Sequence, residues 1–70
     1  MARVRTLVTI EEDFIKALIG GARQQLNVVE VRRAGRKFKS ELRRMGFNEE
    51  FIDAAGDDAV AVAQLRLNAE

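Results

Sequence analysis

The chain has 70 residues, of which 33% are charged and 47% hydrophobic, and its formal net charge is +1. A chain this short makes one domain and buries only about 60% of its surface on folding, so an isolated monomer is marginally stable. It contains no cysteine and no histidine, which excludes disulfides and the usual zinc sites. Helix packing or a homodimer is therefore expected to supply stability.

The charges are divided unevenly along the chain. Residues 1–45 hold eleven basic and five acidic side chains, whereas residues 46–70 hold one basic and six acidic side chains. No apolar run approaches the roughly 18 to 20 residues of a membrane span, and the N-terminus lacks the apolar region of a signal peptide. A soluble, cytoplasmic protein without a membrane partner is expected.

The first predicted element is a short β-strand within residues 2–10. Its residues alternate, so that one face is largely apolar and the other carries Arg3, Arg5, Leu7 and Thr9. A lone strand cannot satisfy its own backbone hydrogen bonds, so it needs a partner. That partner is either a second copy of the chain or, within one chain, the alternating segment Ala59–Leu67.

Two amphipathic helices are predicted next. The first runs from about 11 to 26, with acidic residues in its first turn and Gly20-Gly21 as an interruption explained by tight helix packing. Asn27 and Glu30 have the spacing of a capping box, which predicts that a second helix begins at Val28. Gly46 is expected to end that helix.

A third helical region is predicted after Asn48. Gly56-Asp57-Asp58 is interpreted as a stop followed by a new N-cap. The segment 59–67 alternates like a strand but is rich in alanine and leucine, and we interpret it as helix. The predicted organisation is a strand-helix-helix unit in residues 1–45 for DNA binding and dimerisation, with an acidic helical extension in residues 46–70.

The residue types argue against catalysis and indicate binding. Without histidine or cysteine, and with Ser40 as the single serine, no catalytic triad can be assembled, and no phosphate-binding glycine motif occurs. An enzyme, a bound cofactor and a metal site are therefore not expected. Seven cations fall within residues 32–44, and such a cluster, with Arg32, Arg33 and Arg36 at its start, can neutralise phosphates. The alternative is a solvated helix face.

The order of elements in residues 2–45, with R-T-L-V-T-I-E-E-D-F-I at 5–15, resembles the ribbon-helix-helix family of DNA-binding repressors and antitoxins. The resemblance implies a mainly α-helical homodimer whose two N-terminal strands form a ribbon in the major groove of double-stranded DNA. Arg3, Arg5 and Thr9 would then read bases. The implied phosphate anchor is Asn27 with the amides of Val28 and Val29.

Two functions remain open from the sequence. The first is a small dimeric DNA-binding protein, a transcriptional repressor or autoregulator. The second is a helical protein-protein interaction module, an adaptor or inhibitor that does not bind DNA and that contacts a partner through residues 46–70. A DNA shift that weakens with salt would favour the first, and a co-purifying partner the second.

Overall fold

The computed structural model describes residues 5–69 and consists there of three α-helices. Helix α1 spans Leu7–Gly20, α2 spans Val28–Arg44 and α3 spans Glu49–Asn68. The residue before each helix is polar and extended, and its side-chain oxygen accepts a hydrogen bond from an amide of the first turn; these residues are Thr6, Asn27 and Asn48. Such N-caps satisfy amides that have no partner within the helix.

The predicted N-terminal strand is wrong. Leu7 to Ile10 form the first turn of α1, and no strand occurs within residues 5–69. Thr6 Oγ1 accepts a hydrogen bond from the Thr9 amide at 3.2 Å, which starts the helix four residues before the predicted position. Ile10 is buried with Phe14 in the core, so the apolar residues follow a helical period. The ribbon-helix-helix fold needs a β-strand, and the fold class is corrected to a three-helix structure.

Residues 59–67 are helical, which confirms the interpretation of that segment. Because residues 7–10 are helical as well, these two segments do not form the intramolecular sheet that was the alternative. The predicted stop at Gly56 is wrong, because α3 continues through it. Gly56 is buried on the side of α3 that also holds the buried side chains of Ala55, Ala59 and Ala63. Packing of this side against the other helices keeps Gly56 in the helix despite its low helix propensity.

The predicted extent of the first helix, 11 to 26, is also wrong. Helix α1 ends at Gly20, and Gly21 is its C-cap, whose amide lies 3.3 Å from the Ala17 carbonyl oxygen. No atom of another element lies within 4 Å of the position a Cβ of Gly20 would occupy. The pair of glycines therefore ends the helix, and close helix packing does not explain Gly20.

The prediction for α2 is confirmed at both ends. Asn27 caps its start, and the helix is followed by Met45 as the C-cap and by Gly46, which has φ +91°. The Gly46 amide donates to the Arg43 carbonyl at 3.0 Å and the Phe47 amide to the Leu42 carbonyl at 3.3 Å. These two bonds form a Schellman motif, and Gly46 takes a conformation that other residues adopt only with strain.

All three helices contribute to one hydrophobic core. Its aromatic centre is Phe14 of α1 stacked on Phe38 of α2, with ring centroids 4.7 Å apart. Helix α3 contributes Ile52 and small side chains, which allow close approach of the larger residues from α1 and α2. The buried apolar residues are Ile10, Phe14, Ile15, Leu18, Phe38, Leu42, Ile52, Ala55, Ala59 and Ala63.

Candidate nucleic-acid interface

One side of α2 carries most of the cations of the chain. We call it the basic face, and it comprises Arg32, Arg33, Arg36, Lys37, Lys39, Arg43 and Arg44. At 100° per residue these positions cover an arc of about 160°, opposite the buried Phe38 and Leu42. At 1.5 Å per residue the basic face is about 18 Å long. The cations therefore form a single elongated surface.

Helix α3 neutralises two cations at the edge of the basic face. Lys39 Nζ lies 3.3 Å from Asp53 Oδ1. Arg43 donates two hydrogen bonds to the carboxylate of Glu49, at 2.8 and 2.9 Å. The hydrogen bonds and charge of this pair lower the pKa of Glu49 and raise the pKa of Arg43. The acidic start of α3 thus covers one edge of the basic face and leaves the rest open.

A third cation is paired within α2 itself. Arg33 lies one turn after Glu30, and its guanidinium is 2.6 Å from Glu30 Oε2. Exposed pairs of this kind exchange readily with solvent and contribute little to stability. The four remaining cations form no ion pair with any residue of the segment 5–69: Arg32, Arg36, Lys37 and Arg44.

The structure brings together four of the sequence-predicted site residues. Val29, Arg32, Arg33 and Arg36 line one shallow depression on the basic face. Val29 is 73% exposed and lies at the centre of the cationic arc. An anion in this depression would meet three guanidinium groups, which bind phosphate oxygens in a planar, bidentate manner.

The predicted phosphate anchor at the start of α2 has an internal partner. Asn27 Oδ1 accepts hydrogen bonds from the amides of Val29 at 2.9 Å and Glu30 at 3.2 Å. A phosphate at this helix end would have to displace the Asn27 side chain to reach the Val29 amide. Val28 is 66% exposed, so its side chain is accessible at the same end.

Two of the three residues proposed to read bases, Arg5 and Thr9, are not arranged as a ribbon. Arg5 forms ion pairs with Asp13 and with Glu41, the latter at 3.3 Å. Thr9 lies in α1, and its hydroxyl is 2.9 Å from that of Thr6. Arg3 lies outside the described residues. Because residues 7–10 are helical, the reading positions implied by a strand do not exist for Arg5 and Thr9.

Lys37 and Arg44, the other two cations without ion pairs in the segment 5–69, belong to the cluster of seven cations predicted from the sequence. The individual site residues predicted in that cluster were only those at its start, Arg32, Arg33 and Arg36. Helical spacing extends the site to Lys37, which follows Arg33 by four residues and so lies on the same side of the helix.

One strip of the solvent-exposed surface of α3 is largely apolar. Seven positions fall within an arc of about 100°, and Asp58 is the one charged residue among them. We call this set the apolar stripe, and it comprises Phe51, Ala54, Asp58, Ala61, Val62, Leu65 and Ala69. Leu65 is 68% exposed. Phe51 stacks on Phe47 with ring centroids 4.5 Å apart, which extends the aromatic end of the stripe onto the preceding loop.

No protein-family model, no curated protein and no solved structure matches this chain. None of the helices in residues 5–69 has the length and apolar character needed to cross a membrane. Over the same described part of the chain, no group of three or more acidic side chains is arranged to hold a metal ion.

Proposed function

We propose that this protein binds the phosphate backbone of duplex DNA through the basic face of α2. The observation that carries the proposal is the set of four cations on that face without ion pairs within residues 5–69. The length of the face, about 18 Å, corresponds to about five nucleotides of rise along one strand. Binding without base readout is proposed, because the ribbon that would read bases is absent from the described residues.

Counterion release makes the proposal quantitative. Neutralising four phosphates predicts that the logarithm of the association constant falls with the logarithm of salt with a slope of about −3.6. Between 50 and 200 mM salt, this slope corresponds to a loss of affinity of about a hundredfold. A labelled duplex followed by fluorescence anisotropy over this range measures both quantities, and a flat salt response would contradict the proposal.

A matched pair of variants separates the basic face from general charge. Lys37 and Lys16 are both exposed, but Lys16 lies on α1 and outside the basic face. Lys37→Gln is expected to weaken binding and to reduce the salt slope by about 1. Lys16→Gln, which removes the same charge, is expected to leave the slope unchanged. Equal effects of the two variants would mean that net charge alone causes the binding.

A second candidate function is protein-protein interaction through the apolar stripe of α3, with a second copy of the chain as the occupant or with a partner protein. The specific observation in its favour is an exposed helix side with one charge among seven positions. A row of exposed apolar side chains along one helix is a surface on which another protein can pack. A homodimer through the stripe would also double the number of basic faces available to DNA.

Sedimentation equilibrium tests this second candidate. A homodimer has twice the chain mass of 7.9 kDa, and Leu65→Gln is expected to shift it toward the monomer because Leu65 lies centrally in the stripe. Ala61→Gln, at the edge of the stripe, serves as the control. A mass of one chain at all accessible concentrations would exclude the homodimer and leave only a different partner for this surface.

A further inference from the structure

A cleft opens between α2 and α3 beside the aromatic centre of the core. Its volume is about 290 Å³, at the lower limit of the roughly 300 to 1,000 Å³ typical of small-molecule sites. Its walls are apolar and consist of Phe14, Val31, Gly35, Phe38, Gly56 and Val60. The two phenylalanines are buried, so they form the inner end of the cleft.

The two glycines of the cleft are not required by helix packing. A Cβ at Gly35 would lie 3.8 Å from Phe14 Cζ, which is an ordinary contact distance. A Cβ at Gly56 would lie 3.4 Å from Cε of Lys39, a flexible side chain. Alanine would fit at both positions and would favour the helix by about 1 kcal/mol at each. What the two glycines share is that the absence of their side chains enlarges the same cleft.

The mouth of the cleft is mainly cationic. Arg32 and Arg36 are exposed there, one helical turn apart, and neither forms an ion pair within residues 5–69. Lys39 is the third cation of the mouth and is paired with Asp53, while Asp57 is the one acidic residue of the lining. Two guanidinium groups at this spacing can bind one carboxylate together.

We propose that this cleft binds a small amphipathic anion, an aromatic or aliphatic carboxylate, with its apolar body against Phe14 and Phe38 and its carboxylate between Arg32 and Arg36. The apolar walls exclude a strongly hydrated ion such as free phosphate from the interior. The cations at the mouth favour an anionic ligand over a neutral one. The cleft lies at the lower limit of small-molecule sites, so a compact ligand such as a phenylalkanoate is favoured over a larger one.

The test uses the whole chain and two probes of equal shape, 3-phenylpropionate and its neutral amide. Titration followed by amide chemical shifts is expected to show saturable changes at Gly35 and Gly56 with the carboxylate. The neutral amide is expected to bind about fivefold more weakly, because it lacks the charge that pairs with the exposed arginines. Equal affinity of the two probes, or shifts located outside the cleft, would overturn the proposal.

Variants test the walls and the mouth separately. The double variant Gly35→Ala with Gly56→Ala is expected to bind 3-phenylpropionate at least about tenfold more weakly, because two methyl groups narrow the cleft. Gly20→Ala is the matched control, since it adds the same methyl group to a helical glycine outside the cleft. Unchanged affinity in the double variant would overturn the proposal.

The mouth is tested by Arg32→Gln with Arg36→Gln, which is expected to remove the preference for the carboxylate while the affinity for the neutral amide stays the same. Concentration-dependent shifts at Gly35 and Gly56 without any probe would identify a second copy of the chain as the occupant and would refute the proposal. These measurements contain no nucleic acid, so their outcome is independent of the proposed DNA binding.

Discussion

Replacing Gly35 by alanine is expected to stabilise the protein. The helix propensity of alanine exceeds that of glycine by about 0.8 to 1.0 kcal/mol in a helix interior. The added methyl group would also contact Phe14 at 3.8 Å without a clash, so no strain offsets this gain. The free energy of unfolding should therefore increase by about 1 kcal/mol, which for a domain of this size raises the melting temperature by about 4 to 8 °C.

Thermal and guanidinium unfolding followed by far-UV circular dichroism measure this effect. The control of opposite sign is Gly46→Ala, because Gly46 has φ +91° and a Cβ in this left-handed conformation costs about 1 to 2 kcal/mol. A lower melting temperature for Gly35→Ala would refute the reasoning. It would mean that the wall of the cleft does not accept a methyl group, and that packing requires the glycine after all.

Three further predictions concern the helix ends and the core. The guanidinium of Arg66 donates hydrogen bonds to Glu12 and lowers the pKa of that carboxyl below its ordinary value of 4.5. The stabilising effect of this ion pair is therefore present above pH 4.5 and is lost as the pH falls through the lowered pKa. Stability measured from neutral to acidic pH should accordingly fall less in Glu12→Gln than in the wild type, and equal profiles would show that the pair contributes nothing. Asn48→Ala should lower the free energy of unfolding by about 1 kcal/mol, measured by denaturant titration, because Asn48 Oδ1 caps the Phe51 amide at 2.8 Å. Leu42→Ala should cost about 2 to 5 kcal/mol, since Leu42 is fully buried, and a cooperative transition of wild-type midpoint in this variant would contradict the assigned core.

The starts of α2 and α3 could be predicted because their signals are local. Asn27 and Asn48 each precede a run of helix-forming residues, and the side chain of each forms the capping hydrogen bonds expected of it. The end of α2 could be predicted from Gly46 for the same reason. In these three places, the chemistry of one residue decides the backbone conformation, and no distant part of the chain is needed.

The N-terminal segment was predicted wrongly because its pattern fits two periods. Residues 4–10 alternate as in a strand, but Leu7 and Ile10 also fall three apart, as in a helix that continues to Phe14. Packing of Ile10 and Phe14 into the core decides between the two, and the sequence of this segment alone does not contain that information. Gly56 was misjudged in the same way, since burial keeps it within α3.

The candidate site could be predicted only in part. The cationic residues of α2 follow from composition and helical spacing, and Val29, Arg32, Arg33 and Arg36 do lie together. The pairing of Lys39 and Arg43 with α3 could not be predicted, because it depends on how two helices pack. The cleft could not be predicted for the same reason. Gly35 and Gly56 are 21 residues apart in the sequence, and only the tertiary structure places both in the lining of one cavity.

The N-caps of the three helices follow one another at a constant interval. Thr6 precedes Asn27 by 21 residues, and Asn27 precedes Asn48 by the same number. The eighth residue of each helix is therefore Phe14, Gly35 or Gly56, and all three line the cleft. The three residues therefore lie at the same height above the starts of their helices, about two turns from each cap, and the cleft forms where these equivalent levels of the helices meet.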